Sequence, residues 1–101
     1  MMMILKSWIY EKIQSEAFCK GKTIVWDKQY DYDMNGKEIV TYTIKVDSIE
    51  RETEKAVLVN CMYWYHGSRT VNFTEYKGYK VWIPKSAILE HDNRGFAVAV
   101  G

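Results

Sequence analysis

The sequence predicts an α+β domain: an N-terminal helix packed on a strongly bent antiparallel sheet of about six strands, curled into a small barrel. Three observations carry this prediction. Apolar residues recur at every fourth position as far as Ala17, and from Lys22 onward they alternate with polar ones. Turn signals then punctuate the chain at Asn35-Gly36, His66-Gly67-Ser68-Arg69, Lys77-Gly78 and Asp92-Asn93-Arg94-Gly95. Such short turns join neighbouring antiparallel strands.

The helix is expected over residues 3 to 19. Leu5, Ile9, Ile13 and Ala17 form its apolar stripe, which Ile4 and Trp8 widen. Lys6, Glu11, Lys12, Gln14 and Glu16 take the other side, and Lys20-Gly21 supplies a cationic last turn and a stop.

Residues 22 to 100 are expected as antiparallel strands. Ile24, Trp26, Tyr30, Tyr32 and Met34 alternate with Val25, Asp27, Gln29, Asp31 and Asp33, an apolar face against a mostly acidic one. Asn35-Gly36 tolerates the positive φ of a type I′ turn. The return strand then points Val40, Tyr42, Ile44 and Val46 inward and Thr41, Thr43, Lys45 and Asp47 outward. The charge run Glu50-Arg51-Glu52-Thr53-Glu54-Lys55 reads as a solvated turn.

Ala56 to Tyr65 is apolar on both faces, with Val57, Val59, Cys61 and Tyr63 on one and Leu58, Met62 and Trp64 on the other. Such a strand belongs in the centre of a fold. Val71 to Tyr76 and Tyr79 to Ile83 follow as strands on either side of the Lys77-Gly78 turn. Pro84 lacks an N–H, so it ends the ladder and starts a helical turn over residues 85 to 88, before a closing strand at Phe96, Val98 and Val100. A single helical turn before the final strand is characteristic of SH3-like barrels; an OB-like barrel is the alternative.

One hundred and one residues make a single domain spanning residues 1 to 101. A net charge of +1 gives no overall field that would attract nucleic acid, so such binding needs a local patch. Eight Tyr and four Trp are more than a core of this size can take in, and some are expected at the surface. Cys19 and Cys61 have no ligand-spaced partner, which reads as two buried reduced thiols in a cytoplasmic protein. The apolar start, Met1 to Leu5, is too short for a signal peptide, and no stretch reaches the length that spans a bilayer.

No convergent catalytic set is visible, so the chain is expected not to be an enzyme and to need neither cofactor nor metal. His66 and His91 sit in or beside turns. Asp27, Asp31 and Asp33 share a strand face that would suit a divalent cation, but an acidic solvent face is the reading preferred. The positive signal lies further on. From Lys55 to Lys85 the basic residues Lys55, Arg69, Lys77, Lys80 and Lys85 stand against Glu75 alone, interleaved with aromatics. Small barrels that bind nucleic acid stack bases on aromatics and meet phosphates with Lys or Arg. Trp64, Tyr65 and Tyr79 are therefore expected to stack bases and Arg69, Lys77, Lys80 and Lys85 to neutralise phosphates, with Trp82 on the same surface. The alternative is a protein-binding face built from the same aromatics, and a homodimer would use such a face as well.

Glu52-Thr53-Glu54-Lys55-Ala56 and Trp82-Ile83-Pro84-Lys85-Ser86 resemble segments of short bacteriophage and prophage proteins of unassigned function. The resemblance covers residues 50 to 88. Ala87 stands where a glutamine usually follows the serine, and the hairpin from Met62 to Tyr79 is longer than usual. The resemblance implies a phage lineage; a small phage-encoded protein without a catalytic set is expected, where it does not act on nucleic acid, to be an adaptor or an inhibitor of a host defence complex such as a CRISPR system. Tyr30-Asp31-Tyr32-Asp33, Trp64 and Pro84 also resemble the aromatic dipeptide, tryptophan and proline of peptide-binding SH3 domains. Lys85-Ser86-Ala87 occupies the place of their Asn-Tyr.

Overall fold

A computed structural model of the chain describes residues 1–65 and 74–101. The elements run β1 (Met2–Lys6), α1 (Ser7–Cys19), β2 (Lys22–Ile24), β3 (Trp26–Tyr32), β4 (Glu38–Glu52), β5 (Ala56–Tyr65), β6 (Tyr76–Pro84), a 3₁₀ turn (Lys85–Ala87), β7 (Ile88–His91) and β8 (Ala97–Ala99). The predicted α+β class holds: one α-helix lies against an antiparallel sheet. That sheet has eight strands among the described residues, where six were expected. Its order is β2-β5-β4-β1-β7-β8, with β3 also on β4 and β6 also on β5, and it does not close on itself.

The extra strands come from segments read otherwise in the sequence. Met2–Lys6, expected as the first turn of the helix, is a strand paired with both β4 and β7. Leu5 fits either pattern, standing four residues before Ile9 and two after Met3. Pairing with two strands decides for the sheet, and Met3 and Leu5 are buried. Ile88–His91 forms β7 beside β1. Helix α1 buries Ile9, Ile13 and Ala17 as expected, but Trp8 is exposed. It stops at Lys20-Gly21, whose N–H groups donate to the Ala17 and Phe18 carbonyls, with Gly21 at φ 74°. Gln14 leaves the expected polar side. Its amide accepts from Ile24 N–H at 2.8 Å and donates to Ile24 C=O at 3.0 Å, tying the helix to β2.

The long β4 bends the sheet. Residues 38–44 pair with β3, residues 46–52 with β5, and register shifts near Ser48 and Arg51 turn the strand between them. Where β4 and β5 diverge, Val25 donates to Met62 C=O and its own carbonyl accepts from Lys45 N–H.

The faces of β3 and β4 differ from expectation. Trp26, Tyr30, Tyr32 and Met34, expected inward, are exposed, as is Val40. Thr41 and Thr43, expected outward, are buried. A helix of 13 residues is about 20 Å long, whereas the molecule extends 45 Å, so the β3–β4 arm runs past its cover. The opposite face is closed by contacts between distant strands. Thr41 Oγ1 donates to Asp31 at 2.8 Å, and the other Asp31 oxygen meets His91 Nε2 at 2.7 Å. The acidic face expected to be solvated is thus partly consumed by structure.

Two hairpins use one turn. Asp33 N–H donates to Lys37 C=O and Gly36 N–H to Asp33 C=O, while the Asp33 carboxylate accepts from the N–H groups of Asn35 and Lys37. Asp92, Arg94, Gly95 and Phe96 repeat this arrangement. Only the glycine has positive φ, so the turn at Asn35-Gly36 is a three-residue loop with a glycine bulge instead of type I′. Asp33→Ala leaves two N–H groups without their acceptor and is expected to cost about 1 kcal/mol in urea unfolding.

Strand β5 is as predicted, with Val57, Val59, Cys61 and Tyr63 buried. Glu50–Glu52 belong to β4, exposed, and the turn is confined to residues 53–55. Lys77-Gly78 is no turn. It lies inside β6, where Gly78 at φ 117° is the extra residue of a bulge opposite Cys61 and Met62. Cys61 is buried, but Cys19 is exposed, not buried as expected. No helix among the described residues is long and apolar enough to cross a membrane.

Candidate nucleic-acid interface

The β5–β6 ribbon sorts the predicted residues by face. Cross-strand pairing sets Trp82 opposite Leu58, Lys80 opposite Asn60 and Lys77 opposite Met62, with Trp64 two residues further along β5. These side chains lie on the face opposite the core row of Val57, Val59, Cys61 and Tyr63. Trp64, Lys77, Lys80 and Trp82 therefore share one face. Trp82 and the two lysines are exposed and Trp64 is half-buried. From the level of Leu58 to Trp64 is about 20 Å along the strand, the reach of several nucleotides.

Three of the predicted residues are placed differently. Tyr79 is on the inner face, buried against Tyr63 at a 6.3 Å ring separation, and offers no surface to a base. Lys77-Gly78, expected as a turn, is a bulge within β6, and it sets Tyr79 opposite Cys61 on the inner face. Lys85 pairs with Glu52 at 3.1 Å, so its charge is already met. Tyr65 is exposed, but on the inner side, in a cluster with Tyr63 and Tyr76 at ring separations of 5.2 and 5.0 Å. Its hydroxyl lies 3.3 Å from that of Tyr63; this hydrogen bond first, and burial second, raise the Tyr63 phenol above its ordinary value. Arg69 lies outside the described residues, as do His66, Gly67, Ser68, Val71 and Phe73.

A second feature adjoins this face. Between α1 and β6 runs a groove of about 530 Å³ whose floor includes Ile9, Ile13, Tyr79 and Val81. Trp8 and Trp82, about half exposed, stand at its rim with Lys12, Glu16, Lys20 and Lys80. None of the ion pairs among the described residues involves these four charged groups. Lys20 Nζ lies 5.5 Å above the Tyr79 ring. The sequence held a signal for the helix side of this groove. Trp8, Lys12, Glu16 and Lys20 repeat at i+4, one position behind the Ile9-Ile13-Ala17 row, and so occupy the flank of the buried stripe.

The main chain of β6 also faces the groove. Lys85 N–H donates to Lys55 C=O at 2.8 Å, and the ladder continues with Val57 opposite Ile83, Val59 opposite Val81 and Cys61 opposite Tyr79. Alternate pairs of an antiparallel ladder exchange hydrogen bonds. Ile83, Val81 and Tyr79 therefore turn their main chain to β5, while Lys80 and Trp82 turn theirs to the outer edge. Among the described residues β6 pairs with β5 alone.

His91 is engaged with Asp31, and the described residues contain no group of three His, Cys, Asp or Glu side chains that would hold a metal. Comparison with family models, with curated proteins and with solved structures finds no match to this chain.

Proposed function

We propose that the chain is a non-catalytic, phage-type binding protein of the host cytoplasm that contacts single-stranded or structured nucleic acid through the outer face of β5 and β6. The observation that carries this reading is the sharing of that face by two tryptophans and two lysines, Trp64, Lys77, Lys80 and Trp82. A stacked base is worth roughly 1–3 kcal/mol and tolerates any sequence, while lysines spaced along the ribbon meet successive phosphates. The phage attribution rests on the two resembling segments. The SH3-like reading of the barrel is supported by the 3₁₀ turn at Lys85–Ala87, which precedes the last hairpin.

The test is a tryptophan-fluorescence titration with a dT20 oligonucleotide and its RNA counterpart at low and physiological salt. Saturable quenching that weakens with salt is expected, and Lys80→Ala should reduce the salt slope by about 0.7. Trp82→Ala should weaken binding roughly tenfold. Absence of quenching at low salt, with the protein folded, overturns the reading.

A further inference from the structure

We propose that the groove between α1 and β6 binds an acidic, extended polypeptide segment of another protein, which adds as a strand to the outer edge of β6. This site shares Lys80 and Trp82 with the nucleic-acid face, but its floor, its helix side and the open main-chain edge of β6 are observations of their own. The N–H and C=O groups of Lys80 and Trp82 point to that edge, and they can take the main chain of an incoming strand as a sheet takes its next member. Beside the edge lies an apolar floor, Ile9, Ile13 and Val81, onto which every second side chain of the added strand would fall. Trp8 and Trp82 stand half exposed at the rim, where aromatic anchors of peptide interfaces sit.

Charge selects the occupant. Lys12, Lys20 and Lys80 outnumber Glu16 around the groove, so the segment they complement carries carboxylates between its apolar residues. A second copy of this chain is a poor occupant of the same edge. In the register that sets Lys80 opposite its own copy, two β6 strands paired about a two-fold axis bring like charges across the ladder, which is destabilising. The bulge at Gly78 and the proline at Pro84 shorten the stretch such a pair would share.

The probes are capped decapeptides of alternating glutamate and valine, alternating lysine and valine, and alternating threonine and valine. A fourth is the glutamate peptide with alternate backbone nitrogens methylated. Binding to the full chain is followed by fluorescence anisotropy at physiological salt. The expected order places the glutamate peptide about tenfold tighter than the threonine peptide and the lysine peptide last. Trp8→Ala and Lys12→Glu should each weaken the glutamate peptide about tenfold, and Trp64→Ala should leave it unchanged while weakening dT20. Both Trp8 and Lys12 are exposed, so neither change removes core.

Equal binding of all three sequences overturns the acidic preference. A methylated peptide that binds as well as its parent overturns strand addition. Glutamate-peptide binding that responds to Trp64→Ala and not to Trp8→Ala overturns the groove as the site. The dT20 titration is read separately, so loss of the nucleic-acid reading leaves this one standing, and the reverse.

Discussion

Leu5→Ala is expected to lower the stability of the protein by about 2–5 kcal/mol, the range for truncating a fully buried leucine. The effect follows from the position of β1. Leu5 has no exposed surface, pairs with Tyr42 on β4 and Ile88 on β7, and belongs to the core cluster with Ile9 and Ile13 of α1. Removing its branch leaves a space walled by two strands and a helix, which cannot all move in together. A urea titration reads the change as a fall in midpoint at unchanged slope. Met2→Ala, at an exposed position of the same strand, is the control and should shift stability by less than about 0.5 kcal/mol. If the two substitutions behaved alike, β1 would not be an interior strand.

The second large effect concerns alkaline pH. Burial pushes the Cys61 thiol from an ordinary 9.0 up to about 12. The native state therefore holds this proton more tightly than the unfolded chain does. The resulting stability is complete below about pH 9 and is lost as pH rises towards 12. Three pH units at about 1.4 kcal/mol each make roughly 4 kcal/mol. Tyr10, raised chiefly by burial, and Tyr63, raised chiefly by its hydrogen bond to Tyr65, act in the same direction. Urea midpoints at pH 8 and pH 11 should differ strongly for the native protein and clearly less for Cys61→Ala, which removes the titrating group without adding volume to the core. Equal falls in both proteins would remove Cys61 from the account. A thiol reagent at pH 8 should modify exposed Cys19 in the native state and reach Cys61 only on unfolding.

The candidate interface was half legible in the sequence. Composition drew attention to the basic, aromatic segment, and alternation along β5 correctly separated Val57, Val59 and Cys61 from Trp64. Tyr79 was misplaced because Lys77-Gly78 carries a turn signal by composition, and no local feature said that it would be a bulge inside one strand with Tyr79 opposite Cys61. Composition also counted Lys85 as a free cation, although its partner Glu52 lies 33 residues earlier in the chain. The groove was missed for a related reason. Trp8, Lys12 and Glu16 were visible as a helical row, but no local signal said which strand edge that row would meet.

What the sequence by itself determined are the features whose causes lie within a few residues. Lys20-Gly21 stops the helix, Pro84 ends β6 and admits a helical turn, and the tight turns around Gly36 and Gly95 link their strands. The inner row of β5 follows in the same way from the period of two. Tertiary structure alone decided whether Met2–Lys6 would be helix or strand, which face of the β3–β4 arm would be covered, and which aromatics would remain outside. A periodic pattern says which side chains share a face. Whether that face is buried depends on the length and position of the element packed against it. Here a short helix covers the middle of the sheet, so Ile44 is buried while Tyr30 and Tyr32, on the same arm, meet solvent.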